Sequence, residues 1–266
     1  MFGGLRRTVS RLFQTPRPLL FDHVPKCAGT TVSAYLSSQY PARTVFQLNE
    51  DTPEKSLAKF RALPESRRHG FRLIAGHEAH QLLNLVDPSV LTLTILREPV
   101  DRLVSHYYYV KRNIGHYLHQ RLISEQITLE DYASPELSPE LSNWYTIHYS
   151  GLPVAEVQAD PFGALERAYT NVIEHYDVIG FQDELPETMA AVRRIVGLEK
   201  AFANTFLNQT VNRERVEDVS PLAKKRIIEA NALDIELYER LNALCHRRPF
   251  VRSMRAFRSA PALLSG

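Results

Sequence analysis

The stretch that most constrains the fold is residues 19–31, where an apolar segment leads through a short turn into two threonines. Residues 19–24 are mostly apolar, which is typical of a strand buried on both faces of a parallel sheet. Pro25 ends this strand, and Thr30 and Thr31 open a helix. Unpaired N–H groups and a partial positive charge at a helix N-terminus favour an anion. We therefore predict that this turn holds a phosphate-bearing nucleotide.

The side chains of the turn support this prediction. Lys26 adds a full positive charge, and the two threonines add hydroxyl donors. Gly29 lacks a side chain where the backbone would come close to a ligand. The thiol of Cys27 is not needed for anion binding, but a helix N-terminus is expected to lower the pKa of a neighbouring thiol.

The rest of the chain repeats the order of strand, loop and helix. Further strands are predicted at residues 43–48, 71–75, 91–96 and 177–180. Helices are predicted at residues 4–13, 30–39, 53–63, 99–112, 183–197, 220–230 and 232–244. This alternation predicts an α/β protein, with helices on both faces of a mainly parallel sheet.

A chain of 266 residues suits one large α/β domain, so we expect a single domain over 1–266. Residues 113–175 are polar with aromatic inserts, and are predicted to form a helical insertion over one edge of the sheet. The segments 1–18 and 246–266 are rich in arginine. They are interpreted as solvated chain ends, or alternatively as a peripheral contact with an anionic surface such as a polysaccharide or a membrane.

Charge and cysteine content limit the partners and the compartment. The net charge is only +2, so no nucleic-acid partner is expected. Cys27 and Cys245 provide neither a disulfide framework nor a metal-ligand spacing, which favours a reducing, cytoplasmic compartment. The sequence has no 18-residue apolar run and no apolar signal region, so neither a transmembrane helix nor a secretory signal is expected.

Three loops are expected to meet, because ligands of open parallel sheets bind beyond the strand carboxyl ends. These loops are residues 25–31, 76–80 and 97–105. The first and third both bring positive charge or donors. Two adjacent anion sites imply a ligand with phosphate groups at both ends.

The first loop differs from the P-loop of nucleotide triphosphatases, G-x-x-x-x-G-K-[ST]. Here Lys26 precedes Gly29 by three residues, and no predicted strand ends in the aspartate expected to hold magnesium. Both differences argue against ATP hydrolysis or kinase chemistry. A P-loop kinase or nucleotide triphosphatase, and a non-catalytic anion- or glycan-binding module, remain the alternatives.

Two motifs resemble those of sulfotransferases. PKCAGTT, after an apolar strand, resembles their 5′-phosphosulfate loop, and LREPVDRLVSHYY at residues 96–108 resembles their 3′-phosphate motif. DVIGFQDEL and VNRERVEDVSP are also similar to the branch that includes heparan sulfate 2-O-sulfotransferases and bacterial relatives. The resemblance covers residues 19–245. It implies a P-loop-like three-layer α/β/α fold in a bacterial protein.

The resemblance also implies a reaction. The donor would be 3′-phosphoadenosine-5′-phosphosulfate (PAPS), the product adenosine 3′,5′-bisphosphate (PAP), and the acceptor a hydroxyl of a glycan or small molecule. No metal is expected. The acceptor itself and the oligomeric state stay open, because acceptor pockets are built from variable loops, here residues 78–90 and 113–160.

Residue roles follow from the matching motifs. The 5′-phosphosulfate would be held by Lys26, Cys27, Ala28, Gly29, Thr30 and Thr31. Arg97 and Ser105 would hold the 3′-phosphate, and Arg213 would close over the nucleotide. Alternatively, Arg97 is a structural partner of a neighbouring acid, and Ser105 is an ordinary helix-surface serine.

In-line transfer needs a base for the acceptor hydroxyl and a cation for the departing phosphate. Lys26 is predicted to be that cation. The resemblance implies His77 as the base, although Ala75 stands where the relatives carry a second histidine. Glu78 and His80 are the rival bases.

Overall fold

The computed structural model describes residues 15–49, 52–203 and 214–247, with the side chains of the last two residues excepted. The predicted helix at 4–13 and the predicted nucleotide contact Arg213 lie outside these residues. So does most of each basic end. The single-domain organisation therefore stays a prediction.

The described residues form one sheet of five strands in the order β2-β3-β1-β4-β5, and every neighbouring pair is parallel. The strands are β1 Leu19–Asp22, β2 Val45–Gln47, β3 Leu73–Gly76, β4 Leu91–Leu96 and β5 Val178–Phe181. Asp22 pairs with Gly76 on one side and with Thr94 on the other. The carboxyl ends of the three central strands therefore reach the same edge, as the sequence predicts.

Twelve α-helices occur among the described residues. They are α1 Gly29–Ser37, α2 Pro53–Arg61, α3 Glu65–Arg68, α4 Pro99–Arg112, α5 His119–Ser124, α6 Leu129–Tyr132, α7 Trp144–Ser150, α8 Val154–Ala159, α9 Pro161–His175, α10 Leu185–Val196, α11 Pro221–Ala230 and α12 Ala232–Arg247. Short 3₁₀ turns occupy Ala42–Thr44, Ala79–Leu82 and Pro139–Leu141.

The sheet is covered on both faces because alternate strand residues enter different apolar clusters. Leu19 and Phe21 of β1 pack in a cluster with α1, α9, α10 and α12. Leu20, between them, packs in another cluster with α2 and the Ala79–Leu82 turn. Side chains alternate between the two faces of a strand, so the two clusters lie on opposite faces. The predicted α/β class and its layered arrangement are confirmed.

The segment between α4 and β5 consists of helices joined by short turns, and α7 contacts the carboxyl edge of the sheet through His148 and Tyr149. The assignment of residues 113–175 as an insertion stays a prediction. Asp234 of α12 caps α7, because its carboxylate accepts hydrogen bonds of 2.8 Å from the backbone N–H groups of Tyr145 and Thr146. This cap supplies acceptors for two N–H groups that have none within the helix. It holds the tyrosine and histidine side chains of α7 against the strand ends.

One boundary differs from the prediction in a way that affects the site. The first strand ends at Asp22 and not at residue 24. The apolar Val24 continues the hydrophobic pattern of the strand but is buried in the loop beyond it. No helix in the described part of the chain is both long and apolar enough to cross a membrane.

Candidate functional site

The first loop has a backbone suited to an anion. Lys26 and Ala28 are both left-handed, with φ of 68° and 63°. This conformation is uncommon for residues with a Cβ and is found at functional turns. Left-handed residues in turns can gather successive N–H groups into an anion-binding concavity. Ala28 is the N-cap of α1, and no side chain of the described residues caps that end or places an acid in its first turn.

Gly29 is required for a reason that the sequence did not indicate. A Cβ at this position would lie 1.6 Å from Cδ2 of His23, so the missing side chain makes room for an imidazole of the same protein. Burial lowers the pKa of His23 well below its usual range, and the proximity of His77 and Lys26 lowers it further. His23 is therefore a neutral packing element beneath the loop.

His77 reaches the first loop through this packing. It follows Gly76, the last residue of β3, and its ring stacks on His23 with the centroids 4.2 Å apart. The predicted base thus lies beside the loop that carries Lys26. The rival bases Glu78 and His80 have different partners, described below.

The third loop joins the first through Arg97. Its Nη1 donates a 3.1 Å hydrogen bond to the backbone carbonyl of Lys26. Its Nε and Nη2 both lie 2.6 Å from Asp101 Oδ2. Arg97 therefore connects the two predicted anion sites and also has the acidic partner that the alternative interpretation expected.

The N-terminus of α4 has its own cap. The two carboxylate oxygens of Glu98 accept hydrogen bonds from Val100 N at 3.1 Å and from Asp101 N at 2.7 Å. Burial raises the pKa of Glu98, although these two hydrogen bonds favour its charged form. Ser105, further along α4, is only 5% exposed. The alternative interpretation of Ser105 as a solvent-facing serine is therefore wrong.

The side chain of Tyr145 in α7 contacts both the first and the third loop. Its hydroxyl donates to Arg97 O at 2.8 Å, accepts from Arg97 N at 3.0 Å and lies 3.2 Å from Cys27 Sγ. Cys27 is fully buried, and burial raises the pKa of its thiol. The expectation that the helix N-terminus would lower this pKa is wrong, because desolvation is the larger effect.

A group of side chains at the ends of β1 and β3, termed the buried acid–histidine cluster, comprises the buried Asp22, His148 and Tyr176 and the partly exposed Glu78 and His80. Asp22 Oδ2 accepts a 2.6 Å hydrogen bond from Tyr176 and lies 2.8 Å from Nε2 of His148. Burial disfavours the negative charge of Asp22 and the positive charge of His148, but each of these two charges stabilises the other. The pKa of Asp22 is consequently lowered well below its usual range, and that of His148 is raised.

Sequence reasoning missed Asp22, Tyr145 and His148. The prediction that no strand ends in an aspartate is wrong, since Asp22 ends β1. Two of these residues had a usable signal: Tyr145 and His148 are three apart in a short helical segment, a spacing that places them on one face. The contact of that face with β1 had no local signal.

A row of aromatic side chains, termed the aromatic ladder, leads from Lys26 towards solvent. Lys26 Nζ lies 3.7 Å from the ring centroid of Tyr109. The ring of His116 follows, 5.7 Å from Tyr109 and 4.7 Å from Tyr117 between centroids. Tyr117 is 67% exposed. His116 and Tyr117 lie within residues 113–160, where one of the variable acceptor loops was expected, whereas Tyr109 lies in α4.

Comparison with known proteins identifies the family. The sequence model of the sulfotransferase family matches residues 12–239. The chain belongs to the sulfotransferase family. It is accordingly an enzyme of sulfuryl transfer, as the two motifs predicted, whereas its likeness to the 2-O-sulfotransferase branch stays a prediction.

Two solved structures are similar to this sulfotransferase. A sulfotransferase from Alicyclobacillus acidocaldarius is 15% identical, with a TM-score of 0.43, over 86% of this chain and 96% of the other. The mouse sulfotransferase SULT7A1, complexed with PAP, is 13% identical, with a TM-score of 0.36, over 89% of this chain and 91% of the other. No curated protein sequence gave a significant match.

Proposed function

We propose that this sulfotransferase moves a sulfuryl group from PAPS to a hydroxyl of a glycan or small-molecule acceptor by in-line transfer. The observation that carries the proposal is the meeting of three loops at one edge of the sheet. Arg97 is hydrogen-bonded to the carbonyl of Lys26, and His77 reaches the same loop by stacking on His23. The cation of Lys26, the predicted base and the two predicted anion sites therefore adjoin one another.

The residues fit the two ends of such a donor. The uncapped N-terminus of α1 and the charge of Lys26 suit the phosphosulfate end. The guanidinium of Arg97 suits the 3′-phosphate, because arginine forms charge-assisted hydrogen bonds with phosphate oxygens. Bound PAPS supplies the sulfuryl group. Lys26 is proposed to stabilise the negative charge that develops on the departing phosphate oxygen.

His77 is the proposed base. A neutral imidazole can accept the proton of a hydroxyl near pH 7. Its stacking on His23 favours it over Glu78 and His80, since those two side chains face the buried acid–histidine cluster.

The aromatic ladder supports an acceptor that carries a ring. The rings of Tyr109, His116 and Tyr117 form a row that runs from Lys26 to the exposed side chain of Tyr117. Aromatic faces of this kind pack against sugar and phenolic rings, while a few polar groups fix their orientation. We propose that the exposed end of the aromatic ladder binds the acceptor.

Calorimetry with PAP tests the donor proposal. We expect binding in the presence of a chelator, because the proposed contacts come from the protein alone. A chain that binds PAP only with magnesium, or does not bind it, contradicts the proposal. The acceptor is then sought by supplying PAPS with labelled sulfate to panels of glycans, phenols and aliphatic alcohols, and by identifying the labelled product by mass spectrometry.

The His77→Ala variant tests the base. We expect turnover to fall by about 10²- to 10⁴-fold while PAP affinity is retained, because general base catalysis contributes about that much. His69→Ala is a matched control, since His69 is the C-cap of α3 and its Nε2 lies 3.8 Å from Glu65 Oε1. Full activity of His77→Ala would assign the base elsewhere, and Glu78→Gln and His80→Ala would then be compared.

A further inference from the structure

We propose that the buried acid–histidine cluster binds a divalent transition-metal ion, with Asp22, His80 and His148 as its ligands. Each side chain offers one ligand atom, and the three atoms lie within 4.8 Å of one another. A carboxylate and two imidazoles form a ligand set that suits Zn²⁺ and related ions. Zn²⁺ is therefore the reference ion for the test.

The distances are close to those that a metal ion requires. Asp22 Oδ2 lies 2.8 Å from His148 Nε2, and Asp22 Oδ1 lies 3.8 Å from His80 Nδ1. Two ligand atoms of a tetrahedral zinc ion lie about 3.3 Å apart, as follows from its bond lengths. The two observed distances involve different oxygens of Asp22, and with one ligand atom from each residue the three atoms lie within 4.8 Å of one another. Small side-chain shifts would bring the ligands into position, and the ion would replace the proton that Asp22 and His148 share.

Two imidazole nitrogens in the cluster point independently to a missing ligand. Nδ1 of His80 and Nδ1 of His148 are buried and have no hydrogen-bond partner among the described residues. Buried polar atoms in folded proteins are nearly always satisfied, so each such atom needs an explanation. A metal ion would bind the first of these nitrogens directly.

Glu78 accounts for the second nitrogen. Its Oε1 lies 3.9 Å from His148 Nδ1, and its Oε2 lies 3.8 Å from His80 Nε2. A histidine that binds a metal usually donates its other ring N–H to a carboxylate or carbonyl group. Asp22 thus lies near one ring nitrogen of each imidazole, His148 Nε2 and His80 Nδ1, and Glu78 lies near the other ring nitrogen of each. Tyr176 orients Asp22 with its 2.6 Å hydrogen bond.

A second group of possible ligands in the described residues, His106, His116 and Glu140, lacks this feature. His106 Nδ1 lies 2.8 Å from the hydroxyl of Tyr132, and His116 Nδ1 accepts a hydrogen bond from the backbone N–H of Leu118. The hydroxyl of Tyr117 donates to Glu140. Hydrogen bonds within the protein explain this second group, which makes it a suitable control.

The ion would link three separate parts of the chain. Asp22 ends β1, His80 lies in the turn after β3, and His148 lies in α7. The same turn follows His77, and α7 also carries Tyr145. A bound ion would therefore hold the base-bearing loop and α7 in a fixed relation to the end of β1.

The test is zinc binding by the full chain after treatment with a chelator, measured by equilibrium dialysis and elemental analysis. We expect one Zn²⁺ per chain and a higher Tm when the ion is present. Co²⁺ should give the visible absorption of a low-coordinate site with nitrogen and oxygen ligands. Wild-type protein that binds no stoichiometric zinc overturns the proposal.

Variants locate the site. His80→Ala should lose stoichiometric binding, and Glu78→Gln should bind about 10- to 100-fold more weakly, as is typical for residues that orient metal ligands. His116→Ala should bind zinc as the wild type does. His80 is partly exposed, so its variant is expected to fold, and circular dichroism checks this. Wild-type affinity in His80→Ala overturns the assignment.

The outcome is separable from that of the proposed function. PAP binding in the presence of a chelator reports on the three-loop site, and zinc binding without PAP reports on the cluster. Failure of either measurement leaves the other unchanged.

Discussion

The first helices after β1 and β4 occupy equivalent positions, but their N-termini differ. Helix α1 starts after Ala28, with no carboxylate in its first turn and no side-chain cap from the described residues. Helix α4 starts with Pro99, which has no N–H group, and Glu98 accepts hydrogen bonds from two N–H groups of its first turn. Among the described residues, the N-terminus of α1 has no capping side chain, whereas the N-terminus of α4 already has a carboxylate as its cap.

This difference teaches that two loops with the same predicted role can bind anions by different means. At α1 the backbone and Lys26 would provide the site. At α4 the carboxylate of Glu98 already accepts from the backbone N–H groups, so the proposed anion binding there would depend on the side chains of Arg97 and Ser105. The α1 site should therefore be sensitive to backbone geometry, and the α4 site to loss of a single side chain.

Lys26→Ala should have the largest effect. We expect kcat to fall by about 10²- to 10³-fold, which is typical when one group that stabilises developing charge is removed. Lys111→Ala is the matched control, because the Lys111 ammonium also faces a tyrosine ring of α4, at 5.6 Å. Steady-state kinetics at saturating PAPS measures both variants. Equal rates would show that the α1 end has no catalytic cation.

Gly29→Ala should destabilise the α1 end. The new Cβ would overlap with the buried ring of His23, and overpacking of this kind costs up to about 3 kcal/mol of unfolding free energy. Gly115→Ala is the control, since its Cβ would meet its nearest atom at 3.5 Å, an ordinary contact. Urea denaturation compares the two variants, and coincident transitions would contradict the tight packing.

Arg97→Ala should weaken PAP binding by about 10- to 100-fold with less effect on kcat, because hydrogen bonds to a charged group contribute about 1.5–3 kcal/mol. Arg97→Lys should restore only part of the affinity, since lysine lacks the planar guanidinium. Arg121→Ala removes an exposed pair of the same i,i+4 spacing and serves as the control. Unchanged PAP affinity in Arg97→Ala would exclude a side-chain site at α4.

Glu98→Gln should have the smallest effect. Its amide oxygen can accept only one of the two hydrogen bonds that the Glu98 carboxylate accepts, so we expect a loss of about 1 kcal/mol at pH 7, the typical contribution of one hydrogen bond. Burial raises the pKa of Glu98, so the native state keeps this proton longer than the unfolded chain does. The contribution of Glu98 to wild-type stability should therefore fall as pH rises from about 4.3 through that raised pKa.

The Glu98→Gln variant should lose this part of the pH dependence. Glu54→Gln, at an exposed position in the first turn of α2, should keep it. Denaturation midpoints between pH 4 and pH 7 provide the measurement. An identical slope in wild type and Glu98→Gln would show that the cap is not buried from solvent.

The sequence predicted those parts of the fold that local patterns determine. The strand at residues 91–96 and the helix at 99–112 coincide with β4 and α4, because an apolar, β-branched run meets a proline that can only begin a helix. The first strand was extended too far, since Val24 is apolar although it lies in a loop. Hydrophobicity reports burial but not hydrogen bonding within a sheet.

Contacts between residues far apart in the sequence could not be predicted from local sequence patterns. Asp22 meets His148 across 126 positions, and Cys27 meets Tyr145 across 118. Such pairs have no shared sequence pattern, because the folded chain alone brings them together. The pKa direction of Cys27 was wrong for the same reason: its helix position was predictable, but its complete burial depends on α7.

The burial of Cys27 also allows opening of the loop at residues 25–31 to be followed over time. Its thiol lies beneath the hydroxyl of Tyr145 with a raised pKa, so an alkylating reagent can react only when the loop separates from α7. The rate of labelling therefore reports how often this separation occurs, with the half-buried Cys245 as an internal reference. Any ligand that holds the loop against α7 should slow the labelling of Cys27 in proportion to its occupancy. The labelling rate of this otherwise unreactive cysteine therefore measures ligand binding.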